Sequence, residues 1–243
     1  MKTLRGTLLL VLASAALAFA QDRVGTIVGA GIGLNDNASQ EPFSADSVTT
    51  IDRVLPDGTR IHQELHGKTY RDSQGRTRME MELASLGGGP PRLSISIHDP
   101  VQKIFIYLEP EAQRARIHHE PNAPPAEATP NDGPPATQTT RPAAPSINHE
   151  DLGTTTIDGW TAKGRRTTRT IEAGQIGNDR PIVSTNEIWS SPELHVPLLR
   201  KSDDPQRGQV TVKLINIRRG EPDPALFQIP DGYKVASDKP ETH

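Results

Sequence analysis

Residues 77–108 read TRMEMELASLGGGPPRLSISIHDPVQKIFIYL, and this stretch decides the fold. Apolar and polar residues alternate from Arg78 to Leu83 and again from Leu93 to His98. Because successive side chains of a strand point to opposite faces, this period of two predicts β-strands with one apolar and one polar face. Asp99-Pro100 supplies a turn signal after the second run. Strands so close in sequence must be antiparallel, since a parallel crossover needs roughly a dozen residues.

The run from Ile104 to Leu108 is different because it is apolar at every position. A strand of this kind is typical of the centre of a sheet, with cover on both faces. A helix, the chain ends or a bound ligand would each serve as that cover. Phe105 and Tyr107 are therefore candidates for lining a ligand cavity, together with Trp189 on a later predicted strand.

The same style of sequence extends outward into two blocks, 43–119 and 148–236. Turn signals such as Leu55-Pro56-Asp57-Gly58 separate short β-prone runs in both blocks. One short helix, with proline at an early position, is predicted within Glu221–Phe227. We expect the two blocks to form the two halves of one mainly β, antiparallel sheet.

The remaining segments do not have the pattern of a packed core. Residues 120–147 contain PNAPPAEATPNDGPPATQTTRPAAP, which lacks apolar periodicity and predicts a long disordered loop. Residues 21–42 predict a flexible arm, and 237–243 a disordered tail. The hydrophobic fraction of 33% and the mean hydropathy of −0.56 agree with much of the chain lying outside a core.

Residues 1–20 have the layout of a secretory signal peptide. Lys2 and Arg5 precede an apolar run from Leu8 to Phe19, and the segment ends in a small-x-small pattern at Ala20. The apolar run is shorter than the roughly 20 residues that span a bilayer. We expect cleavage and a soluble periplasmic or secreted protein with no transmembrane segment afterwards; an uncleaved anchor is the alternative.

Composition excludes several classes of function. The sequence has no cysteine, which excludes disulfides, thiol catalysis and the acylated cysteine of a bacterial lipoprotein. The formal charge is −3, and loss of Lys2 and Arg5 removes two positive charges and leaves −5. A mildly acidic chain with mixed charges is not typical of nucleic-acid binding.

No sequence motif predicts a catalytic, cofactor or metal site. The glycines of GAGIG, at residues 29–33, lack a full nucleotide-binding pattern. His118-His119-Glu120 and His149-Glu150 have zinc-binding residue types but no HExxH spacing, and exposed loop histidines are the simpler interpretation. His62 and His66 are predicted to share the solvent face of a strand.

Carboxylates and arginines are equally open to a structural interpretation. Glu80 and Glu82 share one strand face, and Glu187 lies near Trp189, but no GxSxG or SxxK motif accompanies them. A basic group is formed by Arg165, Arg166, Arg169, Arg218 and Arg219. Cross-strand ion pairs are the first interpretation of this group, and an anion-binding patch is the alternative.

The C-terminal stretch LINIRRGEPDPALFQIPDGYKV, residues 214–235, carries a family resemblance. A strand, a short acidic and proline-containing turn, and the spacing Phe227-x-x-Pro230-x-x-Tyr233 resemble the LolA-like superfamily of periplasmic lipoprotein carriers and envelope-stress sensors. Trp189 and the following Ser191-Pro192-Glu193-Leu194 agree with it. The resemblance covers about half the chain and implies a curved half-barrel sheet whose concave face holds acyl chains.

Three functions remain open from the sequence. The first is a non-catalytic envelope protein that binds a lipid or a lipoprotein segment. The second is a sensor or interaction module without a pocket, which meets an envelope protein partner through its sheet edges. The third is a hydrolase with an unrecognised site. The first predicts an apolar cavity near Phe105 and Tyr107.

Overall fold

A computed structural model describes residues 41–83, 89–120 and 144–237 of the chain. The predicted signal peptide, nearly all of the N-terminal arm, most of the proline-rich loop and nearly all of the C-terminal tail lie outside these residues. In the described ranges, no helix has the length and apolar character that crossing a membrane requires.

Twelve strands make up most of the described chain. They are β1 (Phe43–Val54), β2 (Arg60–Arg71), β3 (Thr77–Leu83), β4 (Arg92–Asp99), β5 (Ile104–Glu109), β6 (Arg114–His119), β7 (Ser146–Ile157), β8 (Trp160–Ile171), β9 (Ile182–Ser191), β10 (Val196–Asp204), β11 (Gly208–Arg219) and β12 (Lys234–Ser237). Two 3-10 helices, Pro110–Ala112 and Pro224–Phe227, are the helices of the described ranges. The second is the predicted short helix, and the carboxylate of Asp223 caps it by accepting a hydrogen bond of 2.9 Å from the N–H of Ala225.

All twelve strands belong to one open, curved sheet in the order β12-β6-β5-β4-β3-β2-β1-β11-β10-β9-β8-β7. The pairing of β1 with β11 joins the two halves of the sequence. Neighbours in the sheet are antiparallel, as predicted, except that β12 pairs in parallel with β6. The predicted mainly β fold class is confirmed. The chain passes from β6, next to one edge, to β7 at the other edge within residues 120–145.

One hydrophobic cluster forms where β1, β8, β10 and β11 meet. Its buried members are Phe43, Ala45, Ala162, Leu194, Val196, Leu198 and Leu214. Arg71 is only 3% exposed beside this cluster. Its guanidinium donates hydrogen bonds to the carbonyls of Glu41 and Leu194, which supply the acceptors that a buried cation requires. Burial lowers the pKa of Arg71 from its ordinary value.

A second cluster lies on one face of β4, β5 and β6, under the C-terminal segment. Its buried members are Ile95, Ile97, Ile104, Ile106, Leu108, Ala115 and Phe227. Leu226, Ile229 and Tyr233 pack against it from the C-terminal segment. The pattern Phe227-x-x-Pro230-x-x-Tyr233 therefore provides the cover for one face of the sheet.

Among the described residues, Ile104–Leu108 is covered on one face, and cover on the other face stays a prediction. Ile104, Ile106 and Leu108 are buried in the second cluster, whereas Phe105 is half-buried and Tyr107 is 43% exposed. The strand is apolar on both sides, but the C-terminal segment covers one side only.

The pairing register places the apolar sets of β3 and β4 on opposite faces. Met79 pairs with Ser96 and Met81 with Ser94, while Ile97 pairs with Arg78. Residues paired across strands share a face. The core face of β3 therefore carries Arg78, which is 8% exposed. The guanidinium of Arg78 donates hydrogen bonds to the carboxylate of Glu80 at 2.7 Å and to the carbonyl of Leu226 at 2.8 Å.

Candidate functional site

The face of β3, β4 and β5 opposite the second cluster forms a trough. Cross-strand pairing places Ser96 of β4 between Met79 of β3 and Tyr107 of β5. Ser94, two residues before Ser96, pairs with Met81. The trough is the surface formed by six side chains, those of Met79, Met81, Ser94, Ser96, Phe105 and Tyr107. Five of these side chains are half-buried and Tyr107 is exposed. Serine side chains are shorter than the methionines and aromatic residues beside them, so this face combines apolar walls with a polar floor.

The trough ends in a cleft at the β5–β6 turn, with a volume of about 680 Å³. We call it the arginine cleft. Its apolar lining includes Leu83, Leu93 and Tyr107. Its charged lining consists of Arg92, Glu109, Glu111, Arg114 and Arg116. The volume is within the range of about 300–1,000 Å³ that is usual for small-molecule sites.

The carboxylates of the arginine cleft are held in the charged form. Hydrogen bonds from Arg116 and Arg114, the latter at 2.7 Å, lower the pKa of Glu109. The backbone N–H of Leu93 donates to Glu111 at 3.1 Å and lowers the pKa of that carboxyl. Both groups act as hydrogen-bond acceptors, not as proton donors, near neutral pH.

Histidines contact both aromatic residues of the trough. The ring of His98 stacks on Phe105 with centroids 4.4 Å apart, and His118 meets Tyr107 edge-on at 5.5 Å. His98 Nε2 lies 2.8 Å from Glu120. Tyr107 lines the arginine cleft, whereas Phe105 is not part of its lining and stacks against an imidazole.

Trp189 is not brought together with Phe105 and Tyr107. It lies in the other half of the sheet, half-buried against the first cluster. Its indole N–H donates to Glu187 at 2.6 Å, which is the leading cause of the lowered pKa of Glu187. Its ring lies so close to Gly164 that a Cβ built on that glycine is 2.6 Å from the ring. These contacts give Trp189 a packing role.

The two histidine clusters considered as metal ligands are on strands that the sheet separates. His118 and His119 are on β6, next to one edge, and His149 is on β7 at the other edge. Among the described residues, no group of three His, Asp or Glu side chains is placed to hold a metal ion. His62 and His66 share the solvent-exposed face of β2, and His62 lies 2.7 Å from Asp52.

The basic group of the second half contains cross-strand ion pairs. Arg166 bridges Glu150 and Glu187, at 3.0 Å to each. Arg219 pairs with Glu193 and places its guanidinium 5.0 Å from the centroid of the Trp160 ring. A polar cleft of about 640 Å³ lies nearby, lined by residues that include Lys163 and Arg165.

Sequence reasoning missed Arg92, Arg114 and Arg116. The sequence does contain a signal for Arg114 and Arg116, because arginines two positions apart on one strand share a face. The strand that contains Tyr107 comes directly before theirs in the chain. Arg92 carries no such signal, since it joins the cleft only through the pairing of β4 with β3 and β5. The alternation that includes Met79 and Met81 predicted a strand, but the face of the sheet on which they lie depends on the register.

Three solved structures of bacterial proteins match this chain at low sequence identity. The MucA/MucB complex of Pseudomonas aeruginosa matches at 11% identity over 78% of this chain and 56% of that chain, with a TM-score of 0.41. LprF from Mycobacterium bovis matches at 14% identity over 88% and 98%, with a TM-score of 0.32. A LolA superfamily protein from Nitrosomonas europaea matches at 8% identity over 79% and 92%, with a TM-score of 0.34.

The superfamily that the C-terminal pattern resembles is thus represented among the matching structures. The chain spans between 56% and 60% of the length of the MucB structures that it matches. No protein-family model and no curated protein matches the sequence. At TM-scores of 0.41 and below, the function has to be argued from this chain's own residues.

Proposed function

We propose that this chain is a non-catalytic binding protein of the cell envelope that holds a hydrophobic ligand in the trough. The ligand is an acyl chain, presented by a free lipid or by a lipoprotein segment. The apolar side chains of β3 and β5 contact it, and the serines of β4 leave the space that it occupies.

The observation that supports this proposal is the placement of Met79 and Met81 on the face opposite the second cluster. Two apolar side chains of β3 are not used in the second cluster, while Arg78 and Glu80 of the same strand pair with its members Ile97 and Ile95. Burying a charged pair in the core and leaving methionines half-exposed has a cost in folding stability. Methionine is flexible and polarizable, which suits it to contact an irregular apolar ligand.

The cleft supports binding rather than hydrolysis. Glu109 and Glu111 have lowered pKa values, so neither is a proton donor near neutral pH. Each is also occupied by donors of the chain itself. We therefore assign no catalytic residue. The predicted signal peptide at residues 1–20 supports export, and the absence of cysteine supports a form without a lipid anchor.

The test is native mass spectrometry of the mature protein purified from the envelope of the cells that make it, with lipid extraction of the same sample. We expect a co-purifying lipid or acylated peptide. Tyr107→Glu and Met79→Glu each place a charge in the trough, and both should abolish co-purification.

Ile176→Glu is the matched control, because Ile176 is 62% exposed in the loop between β8 and β9. This variant should retain the ligand. Circular dichroism and the thermal unfolding midpoint establish that each variant is folded. A wild-type protein that is free of lipid under gentle conditions, and that takes up no added lipid, contradicts the proposal.

The exposed edge of the sheet favours a second candidate, a partner-binding module. β7 is the outermost strand, and ten of its twelve residues are exposed. An edge strand presents unpaired backbone groups to which a partner's strand can add. Thr156 pairs with Thr161 one step from the hydrogen-bonded pair Ile157–Trp160, so its N–H points to the free edge, and a proline there would remove that donor. Loss of a crosslinked envelope partner in Thr156→Pro, with lipid binding absent in the wild type, would favour this candidate over the first.

A further inference from the structure

The arginine cleft contains more cationic than anionic side chains. Three guanidinium groups, of Arg92, Arg114 and Arg116, line it together with the two carboxylates of Glu109 and Glu111. Because both carboxylates have lowered pKa values, they hold their negative charge, and the balance at neutral pH is one positive charge.

Most hydrogen-bond donors of these arginines are not used by Glu109. The carboxylate of Glu109 accepts a hydrogen bond from one nitrogen of Arg114 and another from one nitrogen of Arg116. A guanidinium has five N–H donors in a planar fork that matches a carboxylate or a phosphate. Arg114 and Arg116 are each 62% exposed at the side chain, so their remaining donors are accessible from solvent.

The cations lie at one end of the trough, and the apolar walls extend from there. Arg116 pairs with Tyr107, and Arg114 pairs with Glu109 one step nearer the turn. In the other direction, His118 pairs with Phe105. From Arg114 to His118 a strand advances about 13 Å. Charge at one end and apolar surface along the remainder complement a molecule with an anionic head and an acyl tail.

We propose that Arg92, Arg114 and Arg116 select an anionic amphiphile, binding its head group in the arginine cleft while its chain lies in the trough toward Phe105. This inference rests on the proposed function, because it presupposes an acyl chain in the trough. It goes further by naming the class of ligand, its orientation and the residues that determine specificity.

The test is isothermal titration calorimetry of the full mature chain with three probes, each below its micelle concentration where it has one. Dodecyl phosphate has the chain and the charge, dodecyl maltoside has the same chain with an uncharged head, and inorganic phosphate has the charge alone. We expect dodecyl phosphate to bind at least about tenfold more tightly than dodecyl maltoside, since charge-assisted hydrogen bonds distinguish the two. Inorganic phosphate should bind more weakly than either.

The double variant R92Q/R116Q should lose this preference while its affinity for dodecyl maltoside changes less than about threefold. Arg180→Gln is the control, because Arg180 is exposed and pairs with Asp179 outside the cleft. It should retain the preference. Raising the salt concentration should weaken dodecyl phosphate binding and leave dodecyl maltoside binding unchanged.

The outcomes separate the two proposals. Equal affinity for both dodecyl compounds overturns the selection of an anionic head, and the proposed function stands. Inorganic phosphate binding as tightly as dodecyl phosphate overturns it as well, because the acyl chain then contributes nothing. Binding of none of the three probes contradicts the proposed function together with this inference. A preference that survives in R92Q/R116Q, with the fold intact by circular dichroism, contradicts the assignment of these arginines.

Discussion

The two faces of strands β3, β4 and β5 have similar numbers of apolar side chains and very different surroundings. On one face, Ile95, Ile97 and Leu108 are sealed beneath the C-terminal segment. On the other face, Met79, Phe105 and Tyr107 remain partly exposed. β-Branched and leucine side chains fill the sealed face, whereas flexible methionine and aromatic rings separated by serine line the open one. The difference indicates that apolar residues on the sealed face stabilise the fold more than those on the open face, which the proposed function assigns to a ligand.

The largest expected effect comes from truncating neighbouring positions on the two faces. Ile97 is fully buried, so Ile97→Ala should lower the free energy of unfolding by about 3 kcal/mol through lost burial and a cavity. Met79→Ala, on the open face, should cost at most about 1 kcal/mol because the half-exposed side chain loses less burial. Urea unfolding followed by circular dichroism measures both. Equal losses of unfolding free energy in the two variants would show that the two faces contribute equally to stability.

A second test asks whether Trp189 stabilises the fold, as the buried residues do, or lines a ligand site, as proposed for Tyr107. Gly164→Ala places a Cβ 2.6 Å from the indole ring, which must move. We expect a loss of about 2 kcal/mol in unfolding free energy, the usual cost of overpacking. Ser190→Ala, next to Trp189 in sequence, is the control and should change stability by less than about 1 kcal/mol. An unchanged Gly164→Ala variant would show that the tryptophan is free to move, as a ligand-lining side chain would be.

Tyr107→Ala should have a smaller effect on stability. The side chain is 43% exposed, so its removal should change the unfolding free energy by less than about 1 kcal/mol. Binding of a dodecyl probe should weaken about tenfold, because an aromatic wall of the trough is lost. Thermal unfolding and calorimetric titration make the comparison. A large loss of stability without loss of binding would assign Tyr107 to the fold instead of to the ligand.

The smallest expected effect concerns the contact between His62 on β2 and Asp52 on β1, whose side chains are both exposed. The hydrogen bond that His62 donates to the carboxylate of Asp52, and then the negative charge of that carboxylate, raise the pKa of His62 above its ordinary value of 6.5. The sign follows by linkage: a raised pKa in the folded state contributes stability that is fully present below pH 6.5 and is lost as the pH rises through the folded value.

Because the side chain of His62 is mostly exposed, this contribution is small. NMR titration of the imidazole should give a higher pKa in the wild type than in Asp52→Asn. The thermal midpoints of the two proteins should differ only slightly, and more at pH 6 than at pH 8. A titration curve that Asp52→Asn leaves unchanged would contradict the observed contact.

Much of the fold follows from local sequence. The period of two in Met79–Leu83 and Leu93–Ile97 depends only on the geometry of an extended chain, so strands were predictable without any partner. Turns at Asp72-Ser73-Gln74-Gly75 and Asp99-Pro100 follow from residues that suit reversed backbone or cap it with a side chain. The short proline-containing helix before Phe227 was predictable for the same reason.

The candidate site was predictable only in part. Phe105 and Tyr107 were singled out because β5 is apolar at every position, and Tyr107 does line a cleft. Arg92, Arg114 and Arg116 come from two hairpins, and no local pattern connects Arg92 to the other two. Trp189 looked similar to Tyr107 in sequence, but the pairing of Trp189 with Gly164 gives it a packing role instead.

The sequence by itself determined the strands, the turns and the alternation of side chains along each strand, because these depend on neighbours a few residues apart. Only the tertiary structure decided which side of each alternation faces the core. That choice depends on the register between β3 and β4, on the C-terminal segment that covers one face, and on the pairing of β1 with β11 across the chain. A shift of one residue in register would exchange Met79 and Arg78 between the two faces. Long-range pairing therefore separates the apolar residues that are buried in the second cluster from those that remain partly exposed on the other face.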